Sequence, residues 1–568
     1  MSPFIRNTTA ALLAAALAVP VAAQQKHPEG EPPRLVENID IRIINVDVVV
    51  TDKKGNAVTG LKKDDFEIYE NNAPKMITNF FEVEGRQAKN AVIDPVATAA
   101  APPAEAAKTE ELPENLRRRI IFYVDNLSLH PFNRNRVFQQ MKDFIKEVMR
   151  PGDEAMIATF NRSMKVRVPF TKDLTQLNQT LEAMAGESGL GVGVQAERKQ
   201  TEDRIREARG YDEAIAAARS YASSVEHDLR QSVQSINGLM STLAGLEGKK
   251  ILVLTSEGFP MQPGREVFYY IDEISRERRW SNTGTMLEGM SYDGSQLIQS
   301  VAKTANANNI TLYTVHAAGL SQTNDMSAEN ARPASPTVSW AASQNTTESM
   351  QVMAQLTGGL ASINTNNFAL AFNRIQRDLD SYYSLGYRAG TERVDRQRYL
   401  EVKIKNARQR GLTVRSRQTF VEKSTYAEMS DRVVANLLYK TKANDLKILV
   451  RTGRPRAAED GYFTVPVEVQ IPMDEMTLLP QGDTDFIGGF DVYVAVANKE
   501  SDMSDVQRKA HTVRVPAADK EKAKGKYYTY SVELLMERGL NRISIGVVDH
   551  ISNVTGFARE QVIAQDLR

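Results

Sequence analysis

The chain contains no cysteine. That absence removes disulfides, thiolate zinc, iron–sulfur clusters, a cysteine nucleophile and the lipidated cysteine of a bacterial lipoprotein. Net charge is missing too, since 71 Lys and Arg balance 71 Asp and Glu. With no cationic excess to release counterions from a phosphate backbone, nucleic acid is not an expected partner. Tryptophan is rare, at Trp280 and Trp340 only, and the six histidines form no helical His-x-x-x-His pair. No phosphate-binding loop occurs. Long apolar runs are also lacking: the one near the start, residues 10–18, is cut by Pro20 and is shorter than the roughly 20 residues that span a bilayer. Behind Arg6 and ahead of Val21-Ala22-Ala23, it reads as a signal peptide over residues 1–23. The expectation is a secreted or periplasmic protein with no transmembrane segment in the mature chain, held together by packing alone.

What is present is ordinary globular composition, 42% hydrophobic and 25% charged over 568 residues, enough for three or four domains. Residues 38–83 alternate apolar and polar side chains, as in Val46, Val48 and Val50, and predict an N-terminal β segment. It is too small to stand alone and is expected to pair with strands returning at 382–420. Residues 84–117, rich in Ala, Pro and Glu, read as a linker. From 118 to 380 buried-strand runs such as Ile120-Ile121-Phe122-Tyr123-Val124 alternate with helical spacings, which predicts a doubly wound α/β domain. Returning strands (381–420), a polar linking helix (421–440) and an alternating region (441–568) that predicts a β-sandwich complete the chain. The fold class expected is multidomain α/β plus all-β.

Catalytic patterns are weak. Gly289-Met290-Ser291-Tyr292-Asp293-Gly294 has its second glycine one place late for a nucleophile elbow and follows no apolar strand, so a polar turn is the better reading. His316 ends a predicted strand at the same sheet edge as Asp125. Long connections at 186–211, 280–292 and 317–346 exceed passive loop lengths, and the last two carry the tryptophans. Trp is enriched in interface hot spots and also serves loop packing.

Three separated texts, Arg118 through Asp125, Pro151-Gly152-Asp153-Glu154-Ala155 and Gly248 through Thr255, resemble a von Willebrand factor type A domain. With Val46 through Gly55 and Gly60 through Phe66 before it, and Tyr382-Tyr383-Ser384-Leu385-Gly386-Tyr387 after it, the region is similar to the type A-related secreted proteins of Acidobacteria. The resemblance implies binding of a protein or matrix ligand through a divalent metal at the strand ends. In that family the metal is held by Asp-x-Ser-x-Ser, a loop Thr and Thr-Asp-Gly. Here Asp125 stands, but Leu127 and Leu129 replace both hydroxyls, Ser128 lies between them, Thr255-Ser256-Glu257-Gly258 replaces the third text, and Thr201 is the only Thr in the expected loop. Hard cations need several oxygen ligands. Two readings stay open: a degenerate site of Asp125, Ser128 and Glu257 holding Mg or Ca weakly, or a binding face without metal. No other cofactor is expected.

The function expected is that of an exported, non-enzymatic binding protein recognising a protein or cell-envelope polymer. Its expected face is Asp125, Asn126, Ser128, Ser256, Glu257, Trp280 and Trp340. The alternative is an architectural component of an envelope assembly whose β-domains make the contacts.

Overall fold

A computed structural model describes residues 43–85, 87–93, 117–281, 284–320, 336–388, 394–482 and 484–565. The expected signal peptide (1–23) and most of the expected linker (84–117) lie outside them.

Strands β1 (Ile43–Thr51), β2 (Phe66–Glu70), β3 (Ala73–Lys75), β4 (Ile77–Glu84) and β5 (Gln87–Ile93) come first. β5 is a correction: it falls in the stretch read as linker, yet it pairs antiparallel with β4 and continues the sheet, although Gln87-Ala88-Lys89-Asn90-Ala91-Val92-Ile93 has no clean alternation to announce a strand.

The α/β domain follows. It comprises β6 (Arg118–Asp125), α1 (Pro131–Val148), β7 (Glu154–Phe160), β8 (Met164–Thr171), α2 (Leu174–Ala185), α3 (Gly191–Glu207), α4 (Tyr211–Thr242), β9 (Lys249–Ser256), α5 (Arg265–Arg278), α6 (Thr285–Met290), α7 (Ser295–Ala307), β10 (Ile310–His316), α8 (Pro336–Leu356), β11 (Ala361–Ser362) and α9 (Phe368–Asp380). The sheet order is β11-β10-β9-β6-β7-β8, parallel except for β8. β6 is buried at every residue because helices cover both faces. Ile120, Phe122 and Val124 pack with Phe138, Met141 and Phe144 of α1 on one face. Ile121 and Tyr123 pack with Ile236 and Met240 of α4 on the other.

Four strands then return: β12 (Ser381–Arg388), β13 (Gln397–Ile404), β14 (Thr413–Arg415) and β15 (Thr419–Val421), with the short α10 (Ala407–Arg410) between β13 and β14. β12 lies between β1 and β4, and β13 pairs with β2. The sheets β14-β1-β12-β4-β5 and β15-β13-β2-β3 enclose a core of Val46, Val48, Phe66, Phe80, Tyr383 and Leu385. Polar bonds fasten this sandwich to the N-terminal end of the α/β sheet. Arg415 of β14 clasps Asp378 of α9 through two bonds of 2.8 and 2.7 Å, and Tyr313 Oη donates to the same carboxylate.

Helix α11 (Thr425–Tyr439), read as polar, is amphipathic. Met429, Val433 and Leu437 pack on Tyr493 and Phe557 of the last domain, and Ala435 joins the α/β core. That domain comprises β16 (Leu449–Thr452), β17 (Arg456–Ala457), β18 (Phe463–Pro472), β19 (Leu479–Gln481), β20 (Asp485–Ala497), β21 (Gln507–Pro516), α12 (Lys520–Ala523), β22 (Tyr527–Met536), β23 (Gly539–Asp549) and β24 (Thr555–Ala564). One sheet centres on β18, the other on β20 and β23, and Val465, Val467, Val492 and Ile545 fill the space between them. The chain is thus a doubly wound α/β domain with two β-sandwiches, a multidomain α/β plus all-β architecture.

Candidate functional site

Parallel strands put their following loops on one side of the sheet. β6 ends in Asp125, its neighbour β9 ends in Ser256, and β10 ends in His316, which is in register with Ser256. Adjacent strands run about 4.8 Å apart, close enough for these side chains to meet. Ser256 Oγ donates to Asp125 Oδ2 at 2.7 Å and Ser128 Oγ donates to the same oxygen at 2.8 Å. The Glu257 and Gly258 backbone N–H groups donate to Ser128 Oγ and Ser256 Oγ, each at 3.0 Å, which holds both hydroxyls in place. Ser128, which the sequence placed between the ligand positions, is therefore at the centre of the cluster.

Asp125 is only 2% exposed. Burial pushes its pKa up to about 6, opposed by the Ser256 and Ser128 bonds. Backbone amides of Leu127 and Ser128 face the carboxylate and also favour its charge, but Oδ1 accepts no hydrogen bond from the described residues. His316 is buried as well, which lowers its pKa. Its ring bonds to the Glu257 backbone, and Nδ1 has no partner among the described residues.

The other expected site residues do different work. Glu257 Oε1 accepts from His130 N at 2.8 Å and from Asn133 Nδ2 at 3.0 Å, placing a negative charge at the start of α1, where the helix dipole favours one. Burial raises its pKa. Asn126 Oδ1 accepts from the buried Arg134 at 2.7 Å and its amide reaches Ser188 O, so it ties α1 to the loop after α2. Trp280 is half-buried beside Tyr270 and Tyr292, with the Arg278 guanidinium 5.4 Å from its ring. It packs at the end of α5 and is not among the residues that line the cleft described below. Trp340 lies on α8, is 57% exposed and does line that cleft.

A cleft of about 1160 Å³ opens over the strand ends. Asp125, Ser128 and His316 stand among its lining, with walls from α3, α4 and α8. The stretch 186–211, expected as a loop, contains α3. There Thr201 is buried and donates to Glu197 O within the helix, so it takes no part in the Asp125 cluster. Gly191 is needed where α3 starts, since a Cβ there would come within 2.4 Å of Ser128 O. Exposed Val192, Leu320 and Trp340 bring apolar surface to the opening. Sequence reasoning missed Asp228, a half-buried carboxylate on α4 that lines the cleft. Its only sequence signal was a charge beside Leu229 in a long apolar stripe.

The donor set does not suit a divalent metal. Leu127 and Leu129 are buried in opposite cores, Glu257 is committed to the start of α1, and the two serine hydroxyls point their protons at Asp125. One oxygen, Asp125 Oδ1, is left over, far short of six hard ligands. No group of three or more His, Asp or Glu side chains suited to a metal occurs among the described residues.

No protein-family model matches the chain, and no curated protein matches it. Similar solved structures include an aerotolerance-related membrane protein from Bacteroides fragilis, at 12% identity and TM-score 0.23, covering 46% of this chain and 98% of that one. A von Willebrand factor type A protein from Catenulispora acidiphila has 10% identity and TM-score 0.22, covering 64% of this chain and 74% of that one. The manganese-loaded TRAP protein of Plasmodium vivax has 9% identity and TM-score 0.21, covering 54% and 95%. No helix among the described residues is long and apolar enough to cross a membrane.

Proposed function

We propose that this chain is an exported, non-enzymatic binding protein that recognises a protein or cell-envelope polymer at the strand-end cleft of its type A-like domain, without a tightly held metal. The observation that carries the reading is a pair of buried polar atoms, Asp125 Oδ1 and His316 Nδ1, that have no hydrogen-bond partner among the described residues, in the lining of a cleft with exposed apolar residues at its opening. Buried polar groups are nearly always paired, and the exceptions call for an explanation such as a ligand. Loops and edges on a rigid scaffold are where recognition concentrates.

The test is capture from native envelope extract by the mature chain. Trp340→Ala should lower capture at least fivefold, while Trp280→Ala, once shown to be folded, should leave it unchanged. Equal capture by wild type and Trp340→Ala would count against the cleft. An architectural role has one observation in its favour: β21 and β22 are ten-residue strands that each pair on one side only among the described residues. Such edges accept strands from other chains. Loss of capture in Tyr527→Asp or Leu535→Asp, both exposed on β22, with cleft variants unaffected, would move the reading there.

A further inference from the structure

We propose that the cleft receives a lysine side chain of the partner, its ammonium seated against Asp125. The inference rests on the reading of this cleft as the binding site and names the chemistry it selects.

Six carboxylates line the cleft (Asp125, Glu197, Glu202, Asp228, Glu257 and Glu266) against two basic residues, Arg198 and Lys199. Arg198 is already paired with Glu202 at 3.4 Å. An acidic lining alone would be a solvated surface. What distinguishes this one is Asp125, 2% exposed, with one oxygen that accepts no hydrogen bond from the described residues. His316 places a second buried polar atom in the same lining. Its Nδ1 is buried and has no hydrogen-bond partner among the described residues. An ionised carboxylate oxygen without a partner calls for a group that donates. A carboxylate on the partner would bring acceptors to an acceptor and like charge to Asp125.

Between the two basic side chains the geometry favours lysine. Arginine is recognised best by a carboxylate with both oxygens available to its planar fork. Asp125 Oδ2 is occupied by Ser128 and Ser256, so only one oxygen is on offer. An ammonium is compact, carries three donors and needs no fork. Its apolar stem would lie against Val192, Leu320 and Trp340 on the way in, as lysine stems lie along apolar surface while the charge reaches a polar site. An exposed indole also attracts a passing cation.

The experiment uses the full chain carrying Trp280→Phe, which leaves Trp340 as the only indole, and follows its fluorescence at low ionic strength. Tetralysine should give a saturable change. Tetra(Nε-acetyllysine), tetraglutamate and Mg²⁺ should give none, and Asp125→Asn should weaken tetralysine at least tenfold. Binding that survives lysine acetylation or Asp125→Asn overturns the proposal, as does tetra-arginine binding as tightly as tetralysine. If Asp125→Asn does not fold, Asp228→Asn replaces it, with a severalfold loss expected and no loss counting against the idea. The two readings fail differently. Native capture that depends on Trp340 yet ignores Asp125→Asn and acetylation of the partner keeps the cleft and removes the lysine. Capture indifferent to Trp340 removes both.

Discussion

The two ends of the α/β sheet treat buried charge in opposite ways. At the end where the strands start, Arg118 is bonded on every side: to both oxygens of Asp153 at 3.1 and 2.6 Å, to Asp380 at 3.2 Å and to Val148 O. Lys250 donates to the carbonyls of Leu243, Ala244 and Leu246 near the end of α4, although burial pushes its pKa down to about 7. At the end where the strands finish, Asp125 and His316 are just as deeply placed, and each keeps an atom without a hydrogen-bond partner among the described residues. A buried group that has lost its water and gained no partner carries an unrecovered desolvation penalty. The first end is built for cohesion. On the proposed reading, the second holds that penalty in a form that an incoming ligand relieves.

The comparison breaks most sharply at Arg118. Arg118→Ala takes the guanidinium from the fully buried Asp153 carboxylate, which keeps the Arg150 N–H, and removal of one partner of a buried pair costs about 3–5 kcal/mol. Urea unfolding should register that loss, and a loss under about 1 kcal/mol would show that Asp153 finds other partners. Lys250→Met should follow at about 2 kcal/mol, from the Ala244 and Leu246 carbonyls that lose the ammonium, while Leu243 O keeps the Leu246 N–H.

Asp125→Asn is expected to act with the opposite sign. The folded pKa of Asp125, about 6, is above its ordinary value of 3.8, so the fold favours the protonated acid. Its contribution is fully present below about pH 3.8 and is lost as pH rises through 6. Asparagine does not titrate, so the variant should match wild type near pH 4 and exceed it by about 1–3 kcal/mol at pH 8. Melting curves at the two pH values check this, and a destabilised variant at pH 8 would mean that the Asp125 charge holds the loops together. Smallest is Trp340→Ala, whose exposed ring should leave stability within about 0.5 kcal/mol even as capture falls.

Much of the frame was legible because burial on two faces leaves continuous apolar runs, as in residues 120–124 and 251–254, and burial on one face leaves alternation, as in β13. Helix α3 was not legible. Only Gly191, Thr201 and Ile205 of its residues are buried, so it shows no apolar stripe, and its position comes from contact with α4 and α5. Asp125 could be located from its place after a buried strand. That Ser128 would turn back onto it, while Glu257 turned away to Asn133, depends on how the loops after β6 and β9 pack together. Residue order does not record that packing. The two tryptophans show the same limit, since nothing in residue type separates Trp280 in a packed cluster from Trp340 on an open face.

The interleaving of the first sandwich with the α/β domain sets a schedule for biosynthesis. Leu61 N–H bonds to Tyr383 Oη across 322 residues, and Thr78 Oγ1 to Gly386 O across 308. At about 5–20 residues per second, a ribosome needs roughly 15–60 s to deliver β12 after β1 and β4 have been made. During that interval two apolar strands wait with the gap between them unfilled, and an unfilled gap is a template for the wrong strand. The α/β domain, complete before β12 is synthesised, brings the end of α9 back beside β4, where Gly85 N–H meets Asp380 O at 2.8 Å. The larger domain thereby acts as a jig that delivers the missing strand to its slot, and a slow-folding variant of it should be recovered as aggregates nucleated by residues 43–84.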